Sequence, residues 1–495
     1  MILIKSATII DGTGKPGYRA DVLIKDDRIS AIGNFQPKSA DTVIDGLGLE
    51  LSPGIIDVNT DSDHFLSLFS NPEQQDFLLQ GVTTVLGGHC GSSLAPLFYG
   101  SLKSIRKWGD ISQVNVDWHS IGELRQTLQK IGLGVNFGTL IGHSTIRRDL
   151  VGDEIRDLSE PETDIFKSAI AQGMKDGALG FSTGLGYIHA RQVSYSEIRK
   201  FLKVTAERNG IYTTHLRDEK EGITDGIKET VALAEETGIR TIISHLRPII
   251  GYEEAFNEGL ALLAENSRKQ NVWFDCNPFD FSIVPLYSLL PKWAQHGSLE
   301  EMLPMFDHPE HRENIIKEIR ESKTDFGSMI IADAKDNAAI IGKTVGEFSA
   351  IRNLSVPDGL IHLMEITRLK VILMEKNVNQ SVLNELLFHP RALIGSNTAS
   401  MPAAEKMMKS ERSTNTFPKF LSLAAERGIK KEEAMARITS TPAKIFGLQK
   451  RGIIAEGAYA DIAMRKDGKL MHVLVNGVPT VTNGELTGKK SGNIL

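Results

Sequence analysis

Three side chains of the types that bind zinc closely follow short apolar runs of the sequence. They are Cys90, His215 and His245, and the β-branched residues before them predict β-strands. A thiolate and two imidazoles give zinc three protein ligands and leave one coordination position open, which is typical of a catalytic site. Zinc in such a site lowers the pKa of a water molecule and polarises a carbonyl group. The sequence therefore predicts one zinc ion with a Cys/His/His ligand set.

These side chains need a scaffold that brings the ends of separate strands together. The middle of the chain alternates apolar runs with segments of helical spacing, such as Ser196–Arg208 and Thr224–Thr237. The predicted strands are Ile55–Val58, Val82–Gly87, Val135–Ile141, Ala178–Phe181, Ile211–Thr214, Thr241–Ser244, Val272–Cys276 and Ala392–Gly395. Eight strands that alternate with helices favour an α/β fold of the (β/α)8 TIM barrel type, whose chemistry lies at the C-terminal strand ends. An open doubly wound sheet is the alternative, but no Gly-x-Gly-x-x-Gly follows the first strand.

The two ends of the chain predict a separate β-structure. Residues 1–54 and 448–495 contain short β-branched runs separated by Asn-Gly and Asp-Gly pairs, which are typical of tight hairpins. We expect one β-sandwich formed from both termini, around a barrel at residues 55–447. Residues 281–347 have Pro-rich starts and a charged helix, which predicts a small inserted domain after the seventh strand.

The composition limits the classes of partner and compartment. Of the 495 residues, 62 are acidic and 56 are basic, and the net charge of −6 gives no electrostatic reason to expect nucleic acid or an anionic membrane as a partner. The only two cysteines, Cys90 and Cys276, cannot form a disulfide framework, which favours a reducing, cytoplasmic compartment. We expect Cys276 to be a core residue of the seventh strand. The expected partner is a small-molecule substrate, and the oligomeric state is left open.

Several motifs occur in a fixed order along almost the whole chain. They include Pro53-Gly54-Ile55-Ile56-Asp57, Gly88-His89-Cys90-Gly91, Gly142-His143-Ser144-Thr145-Ile146-Arg147, Thr214-His215-Leu216-Arg217 and Ser244-His245-Leu246-Arg247. In these motifs the chain resembles the amidohydrolase superfamily and, within it, the N-acyl-D-amino-acid deacylases, or D-aminoacylases. The resemblance implies a distorted barrel with a terminal β-sandwich, and a zinc ion held at the positions that match Cys90, His215 and His245. It also implies hydrolysis of the amide of an N-acyl-D-amino acid to a carboxylate and a free amine.

Two departures from the family pattern concern the acid–base chemistry. The first strand of the family ends in His-x-His, which serves a second metal site, and the matching stretch here is Asn59-Thr60-Asp61. The eighth strand of the family ends in a catalytic aspartate, and the matching residue here is Asn397. An amide does not take up a proton at neutral pH, so we expect Asp61 to replace the missing base. Asp63 and His64 are weaker candidates.

Three further residues are candidates for binding the substrate. Tyr187 could donate to a developing oxyanion, or it could simply pack. Arg247 offers a guanidinium fork to a substrate carboxylate, and the alternative is a structural ion pair. His143 follows the third strand and could reach the substrate, or it could be a hydrogen-bonded loop residue.

Three functions remain open from the sequence. The first is a zinc-dependent hydrolase of an N-acyl amino acid or related small amide, with an altered general base. The second is a non-hydrolytic zinc enzyme, such as a lyase, isomerase, cyclase or acyl transferase, in which zinc polarises a carbonyl but water is not the nucleophile. The third is a catalytically inactive barrel that acts as a binding protein. Zinc content separates the third function from the first two.

Overall fold

The structure is a computed structural model, which describes residues 1–36, 40–265, 271–334, 337–402 and 408–495. Its strands are β1 (Ile2–Ile9), β2 (Tyr18–Lys25), β3 (Arg28–Gly33), β4 (Thr42–Asp45), β5 (Glu50–Pro53), β6 (Ile55–Asp57), β7 (Val82–Gly87), β8 (Asn136–Thr139), β9 (Ile141–Gly142), β10 (Gly180–Gly184), β11 (Ile211–His215), β12 (Arg240–Ile243), β13 (Val272–Cys276), β14 (Ser282–Pro285), β15 (Ile330–Asp333), β16 (Ile372–Glu375), β17 (Ala392–Ile394), β18 (Ile462–Lys466), β19 (Lys469–Val475), β20 (Val478–Thr482) and β21 (Glu485–Leu486). Its α-helices are α1 (Ser67–Ser70), α2 (Gln75–Leu78), α3 (Ile121–Ile131), α4 (His143–Val151), α5 (Glu160–Lys175), α6 (Tyr195–Ala206), α7 (Ile223–Thr237), α8 (Glu253–Glu265), α9 (Leu299–Met302), α10 (Pro309–Glu321), α11 (Val345–Ala350), α12 (Val356–Ile366), α13 (Gln380–Leu386), α14 (Glu411–Glu426), α15 (Lys431–Ile438) and α16 (Ser440–Phe446).

The centre of the molecule is a distorted (β/α)8 barrel, as predicted. Parallel pairing runs β6–β7–β8 on one side and β9–β10–β11–β12–β13–β17 on the other. The third strand is split, because β8 pairs with β7 while β9 pairs with β10. All six residues of β7 are buried, as expected for a parallel strand that is covered on both faces. The predicted strands therefore correspond to the barrel strands. Their predicted ends agree with the structure to within about three residues.

Loop backbone beyond β17 and β6 joins the eighth and first strands. The backbone N–H of Asn397 donates to the carbonyl of Asn59 at 2.7 Å, and the N–H of Ser396 donates to the carboxylate of Asp57 at 2.9 Å. Burial raises the pKa of Asp57 to about 7. These contacts place the segments after the first and eighth strands side by side at the C-terminal end of the barrel.

Both ends of the chain form one β-structure beside the barrel. Among the described residues, nine strands form this sheet, with β5 of the N-terminal part pairing antiparallel with β18 of the C-terminal part. A separate core made of residues from both termini, including Ile4, Val22, Ile462 and Leu474, is buried against it. The predicted fold class, a barrel with a β-sandwich from both termini, is confirmed.

A small domain with its own core interrupts the chain between β13 and β17. Its sheet has the order β14–β16–β15, and its buried residues extend from Leu286 to Leu373. The prediction that the insertion ends at residue 347 is wrong. That residue lies in the first turn of α11, which begins with a capping box between Thr344 and Glu347, and both α12 and β16 still belong to the insertion.

None of the helices in the described part of the chain is both long and apolar enough to cross a lipid bilayer.

Candidate metal centre and active-site cavity

Cys90, His215 and His245 come together at the C-terminal end of the barrel. Sγ of Cys90 lies 3.2 Å from Nε2 of His245, and Nδ1 of His215 lies 3.0 Å from the same nitrogen. One ligand atom from each residue lies within 4.8 Å of the others. Zinc holds sulfur and nitrogen donors at roughly 2.0–2.3 Å, so donors at this spacing fit around a single ion. The thiolate and two imidazoles also match the donor set that zinc prefers.

The turn that carries Cys90 adopts backbone conformations that favour glycine. Gly88, Cys90 and Gly91 have φ values of 78°, 52° and 77°. A Cβ on Gly91 would lie 2.7 Å from the backbone nitrogen of Gly184, so the neighbouring strand leaves no room for a side chain. Ser182 fixes the turn, because its Oγ accepts from the N–H of Gly91 at 3.1 Å and donates to the carbonyl of Gly88. Ser182, a residue of β10, thus positions the turn that carries Cys90.

Glu219 lies against the outer nitrogens of both histidines, and the sequence analysis missed it. Its Oε1 lies 3.1 Å from Nδ1 of His245, and its Oε2 lies 3.8 Å from Nε2 of His215. The same carboxylate pairs with Arg247 at 2.8 Å. Burial favours the neutral acid, but the charge of Arg247 is the largest of the opposing effects, which together lower the pKa of Glu219. A carboxylate in this place orients metal-binding imidazoles.

Asn59, the first residue of the Asn59-Thr60-Asp61 stretch, is buried inside the barrel. Its Nδ2 donates to the two carboxylate oxygens of Asp275 at 3.2 and 3.1 Å. Oδ1 of Asp275 also accepts the backbone N–H of His245 at 3.0 Å, and burial raises the pKa of Asp275 to about 6. Asn59 therefore supports the backbone of His245 through Asp275.

Asp61 and Asn397 face each other between the ends of the first and eighth strands. Nδ2 of Asn397 donates to Oδ2 of Asp61 at 3.4 Å, and the backbone N–H of Asp61 donates to the carbonyl of Thr398 at 2.8 Å. Asn397 holds a left-handed backbone conformation with a φ of 47°. Asp61 and Asn397 line a cavity of about 940 Å³, which the metal-ligand candidates also line.

His64 carries a positive charge that keeps Asp61 ionised. Its Nε2 lies 3.1 Å from the carbonyl oxygen of Ser92, and its Nδ1 lies 3.3 Å from Oδ1 of Asp61. Burial opposes this charge, but Asp63 and Asp61 outweigh it and raise the pKa of His64 to about 10. Burial likewise favours neutral Asp61, but the hydrogen bond and charge of His64 lower the pKa of Asp61. Asp63 is committed to structure, since it accepts the N–H groups of Gly88 at 2.6 Å and of His64 at 3.0 Å.

Tyr187 and Arg247 both line the cavity next to the metal-ligand candidates. The ring centroid of Tyr187 lies 4.8 Å from that of His215. Burial raises the pKa of Tyr187 well above its ordinary value. Arg247 pairs with Glu219 through Nη2, and its side chain is 22% exposed where it lines the cavity. The guanidinium is therefore within reach of a ligand in the cavity.

His143 does not line the cavity, contrary to the prediction that it binds substrate. It is the first residue of α4, which begins directly after β9. Its fully buried ring packs among Phe166, Phe181 and Phe201, and its Nε2 lies 2.9 Å from Oε1 of Glu197. Burial lowers the pKa of His143 despite this carboxylate. Because the chain turns into a helix at the end of the strand, the side chain packs between the barrel and its outer helices.

Known proteins resemble this chain in both sequence and structure, although no family model matches it. The D-aminoacylase of Alcaligenes xylosoxydans xylosoxydans is 28% identical, over 100% of this chain and 97% of that protein. A solved D-aminoacylase, described as defining a novel subset of amidohydrolases, is 26% identical with a TM-score of 0.81, over 100% of this chain and 99% of its own. The chain therefore has the amidohydrolase fold and is similar to D-aminoacylases over its whole length. The zinc-containing N-acyl-D-glutamate deacylase of Bordetella bronchiseptica, solved with a phosphonate inhibitor, shares the fold at 23% identity and a TM-score of 0.79, over 100% and 99% of the two chains.

The similarity over the whole chain supports an amidohydrolase-type enzyme, and the Cys90/His215/His245 cluster is its candidate zinc site. Beside that cluster, the amide of Asn397 contacts the carboxylate of Asp61. The structure therefore brings together the two residues that the sequence analysis singles out at the ends of the eighth and first strands.

Proposed function

We propose that this enzyme hydrolyses the amide bond of an N-acyl amino acid, with Asp61 as the proton acceptor. The supporting observation is that an ionised carboxylate shares one cavity with the Cys90, His215 and His245 cluster. The similarity to D-aminoacylase over the whole chain supports an N-acyl amino acid as the substrate.

The residues of the site divide the work of amide hydrolysis. Zinc bound by Cys90, His215 and His245 supplies Lewis acidity, which polarises a carbonyl and lowers the pKa of a water molecule. The carboxylate of Asp61 accepts a proton from the water whose oxygen bonds to the carbonyl carbon. Asp61 then returns that proton to the nitrogen as the C–N bond breaks, which leaves a free amine and a carboxylic acid. The acid loses its remaining proton to solvent and becomes the carboxylate. Asn397 holds Oδ2 of Asp61 by its hydrogen bond and does not itself transfer the proton.

Arg247 and Tyr187 orient the substrate in this scheme. The guanidinium of Arg247 donates to the α-carboxylate of the amino acid, which is one atom away from the scissile nitrogen. The ring of Tyr187 lies beside that of His215, and its hydroxyl donates to the carbonyl oxygen as negative charge develops there. The acyl chain then extends away from Arg247, on the other side of the amide.

A panel of N-acyl-D- and N-acyl-L-amino acids tests the proposal. Zinc-loaded wild-type protein and Asp157→Asn, a change at an exposed carboxylate outside the cavity, are expected to release free amine. Asp61→Asn is expected to lower kcat by about 100-fold or more, because the general base is lost. Equal turnover by Asp61→Asn would remove Asp61 from the mechanism. No zinc-dependent turnover of any member would overturn hydrolysis and leave a non-hydrolytic zinc enzyme, and failure to bind zinc would favour a binding protein.

A further inference from the structure

Three cationic side chains line one wall of the cavity, away from the residues used above. They are Arg106, Lys107 and Arg148. A single carboxylate, that of Asp153, forms ion pairs with both arginines. Nη2 of Arg106 lies 2.7 Å from Asp153, and Nε of Arg148 lies 2.9 Å from it. Arg148 is buried, so solvent screens its charge only weakly. The wall therefore carries more positive than negative charge.

Lys107 has no ion pair among the described residues. Its Nζ donates to the carbonyl of Gln295 at 3.1 Å and lies 4.8 Å from the centre of the Tyr287 ring. A carbonyl and an aromatic face stabilise an ammonium group only partly, because neither carries a full negative charge. Burial and then the charge of Arg148 lower the pKa of Lys107 to about 8. An anion bound at this point would restore the balance of charge.

The cationic wall connects to the metal-ligand candidates by a row of rings. The rings of His215 and Tyr187 lie 4.8 Å apart, and the ring of His189 stacks on Tyr187 at 6.0 Å. Nδ1 of His189 lies 3.1 Å from Nη2 of Arg148. The contacts therefore run from His215 through Tyr187 and His189 to Arg148.

Arg247 lies at the opposite end of this series of contacts. It is joined to the metal-ligand candidates by Glu219, which lies 2.8 Å from Arg247 and 3.1 Å from His245. With the α-carboxylate at Arg247, the acyl group is the part of the substrate that extends towards Tyr187 and Arg148. The unpaired cation of Lys107 is then reached by the far end of the acyl chain.

We propose that Lys107 and Arg148 form a subsite for a terminal carboxylate on the acyl group, so that the preferred substrates are amino acids N-acylated with a dicarboxylic acid. This inference rests on the proposed function for the placement of the amide. The recognition of the anion itself does not depend on bond cleavage. Selection of the acyl group would distinguish this chain from an enzyme that selects only the amino-acid side chain.

The test compares matched ligands that differ only in the terminal group of the acyl chain. The ligands are succinyl, glutaryl and suberoyl derivatives of D- and L-leucine, with a methylene in place of the amide N–H so that they are not cleaved. Each carboxylate is paired with its terminal carboxamide, and N-acetyl-D-glutamate and N-acetyl-D-glutamine isosteres place the same difference on the amino acid. Calorimetry on zinc-loaded protein measures affinity for wild type, Lys107→Met, Lys107→Arg and Lys103→Met, the last an exposed lysine four positions earlier.

The expected result is that at least one acyl carboxylate binds wild type about tenfold or more tightly than its carboxamide. Lys107→Met should abolish the preference, while Lys107→Arg and Lys103→Met should retain it. Equal binding of all acyl pairs by wild type, or an unchanged preference in Lys107→Met, would overturn the proposal. A preference confined to the glutamate pair would overturn its assignment to the acyl chain. Tight binding of the carboxylate without cleavage of the matching amide would instead contradict only the proposed hydrolysis.

Discussion

Asn397 donates a side-chain N–H to the carboxylate of Asp61, with 3.4 Å between Nδ2 and Oδ2. This contact joins the loop after the eighth strand to the loop after the first. An aspartate at 397 would face Asp61 at nearly hydrogen-bond distance, and two charges so close would raise the pKa of one carboxyl group. The site therefore accommodates one ionised carboxylate, and in this chain it is Asp61.

Exchanging the two residues tests this relationship. Asp61→Asn alone is expected to lower kcat/KM by about 100-fold or more, and the double variant Asp61→Asn/Asn397→Asp should recover at least tenfold of the loss. The reason is that the pair again holds one carboxylate and one amide. Steady-state kinetics of both single variants and the double variant completes the cycle. A double variant no more active than Asp61→Asn would show that position 397 cannot hold the base.

Replacing Cys90 is expected to remove the metal, because a serine hydroxyl is a much poorer zinc ligand than a thiolate. Wild type and Cys276→Ala, which changes the other cysteine in the core of β13, should each bind about one zinc ion per chain. Cys90→Ser should bind far less. Elemental analysis after dialysis measures the content, and thermal melting with and without a chelator should show a loss of stability only for the zinc-binding proteins. Equal zinc in Cys90→Ser and Cys276→Ala would exclude Cys90 as a ligand.

His143→Ala should affect stability and not substrate binding. The change opens a cavity among three phenylalanine rings and, among the described residues, leaves the carboxylate of Glu197 with only the 3.4 Å contact to Arg147. We expect a loss of about 2–4 kcal/mol in the free energy of unfolding, measured by urea denaturation. KM should stay within about twofold of wild type, and the exposed His296→Ala serves as the control. A large rise in KM at unchanged stability would contradict the position of His143 outside the cavity.

The preference for a terminal acyl carboxylate should decline as the pH rises through about 8. Lys107 is charged below its pKa of about 8 and neutral above it, so only the lower pH range provides an ammonium partner for the anion. The charged or titratable groups around it are Arg106, Arg148, Asp153, His189, Tyr287 and Glu301. The pKa values of Asp153 and Glu301 are lowered, that of His189 is lowered well below its ordinary value, and that of Tyr287 is raised to about 12. Guanidinium groups stay protonated, so none of these groups changes charge near pH 8.

The measurement is the ratio of carboxylate to carboxamide affinity from about pH 6.5 to 9.5. Wild type should show a falling ratio, while Lys107→Arg should show a flat one because arginine keeps its charge. A flat profile for wild type would mean that Lys107 does not supply the charge that the carboxylate recognises.

Much of the barrel could be predicted because most of the parallel strands are short runs rich in apolar and β-branched residues, followed by polar residues. Such runs are visible in a single sequence, and the side chains just after them necessarily meet at one end of the barrel. Cys90, His215 and His245 were brought to attention in this way. The same rule failed for His143, because it does not state whether the chain leaves a strand as a loop or turns at once into a helix.

Other features carry no local signal. Glu219 lies in the loop after β11 among other charged residues, and only the fold reveals that it contacts His245 and Arg247. Lys107 likewise resembles any surface lysine until Gln295 and Tyr287 of the inserted domain close around it. The end of the insertion was placed too early because the apolar face of α12 looks the same whether it packs on a barrel or on a small separate core.

The sheet shared by the two ends of the chain constrains the order in which the protein can fold during synthesis. The strand that leads into the barrel, β5, is flanked on one side by β1 and on the other by β18, and Ser52 bonds to Ala463 across 411 positions. While the ribosome is still making the barrel, one edge of β5 has no permanent neighbour and is open to pairing with other chains. The start of the barrel is therefore stabilised only after the C-terminal strands of the chain have emerged. A product truncated before β18 would lose the partner of β5, so the truncation would also affect the N-terminal part of the fold.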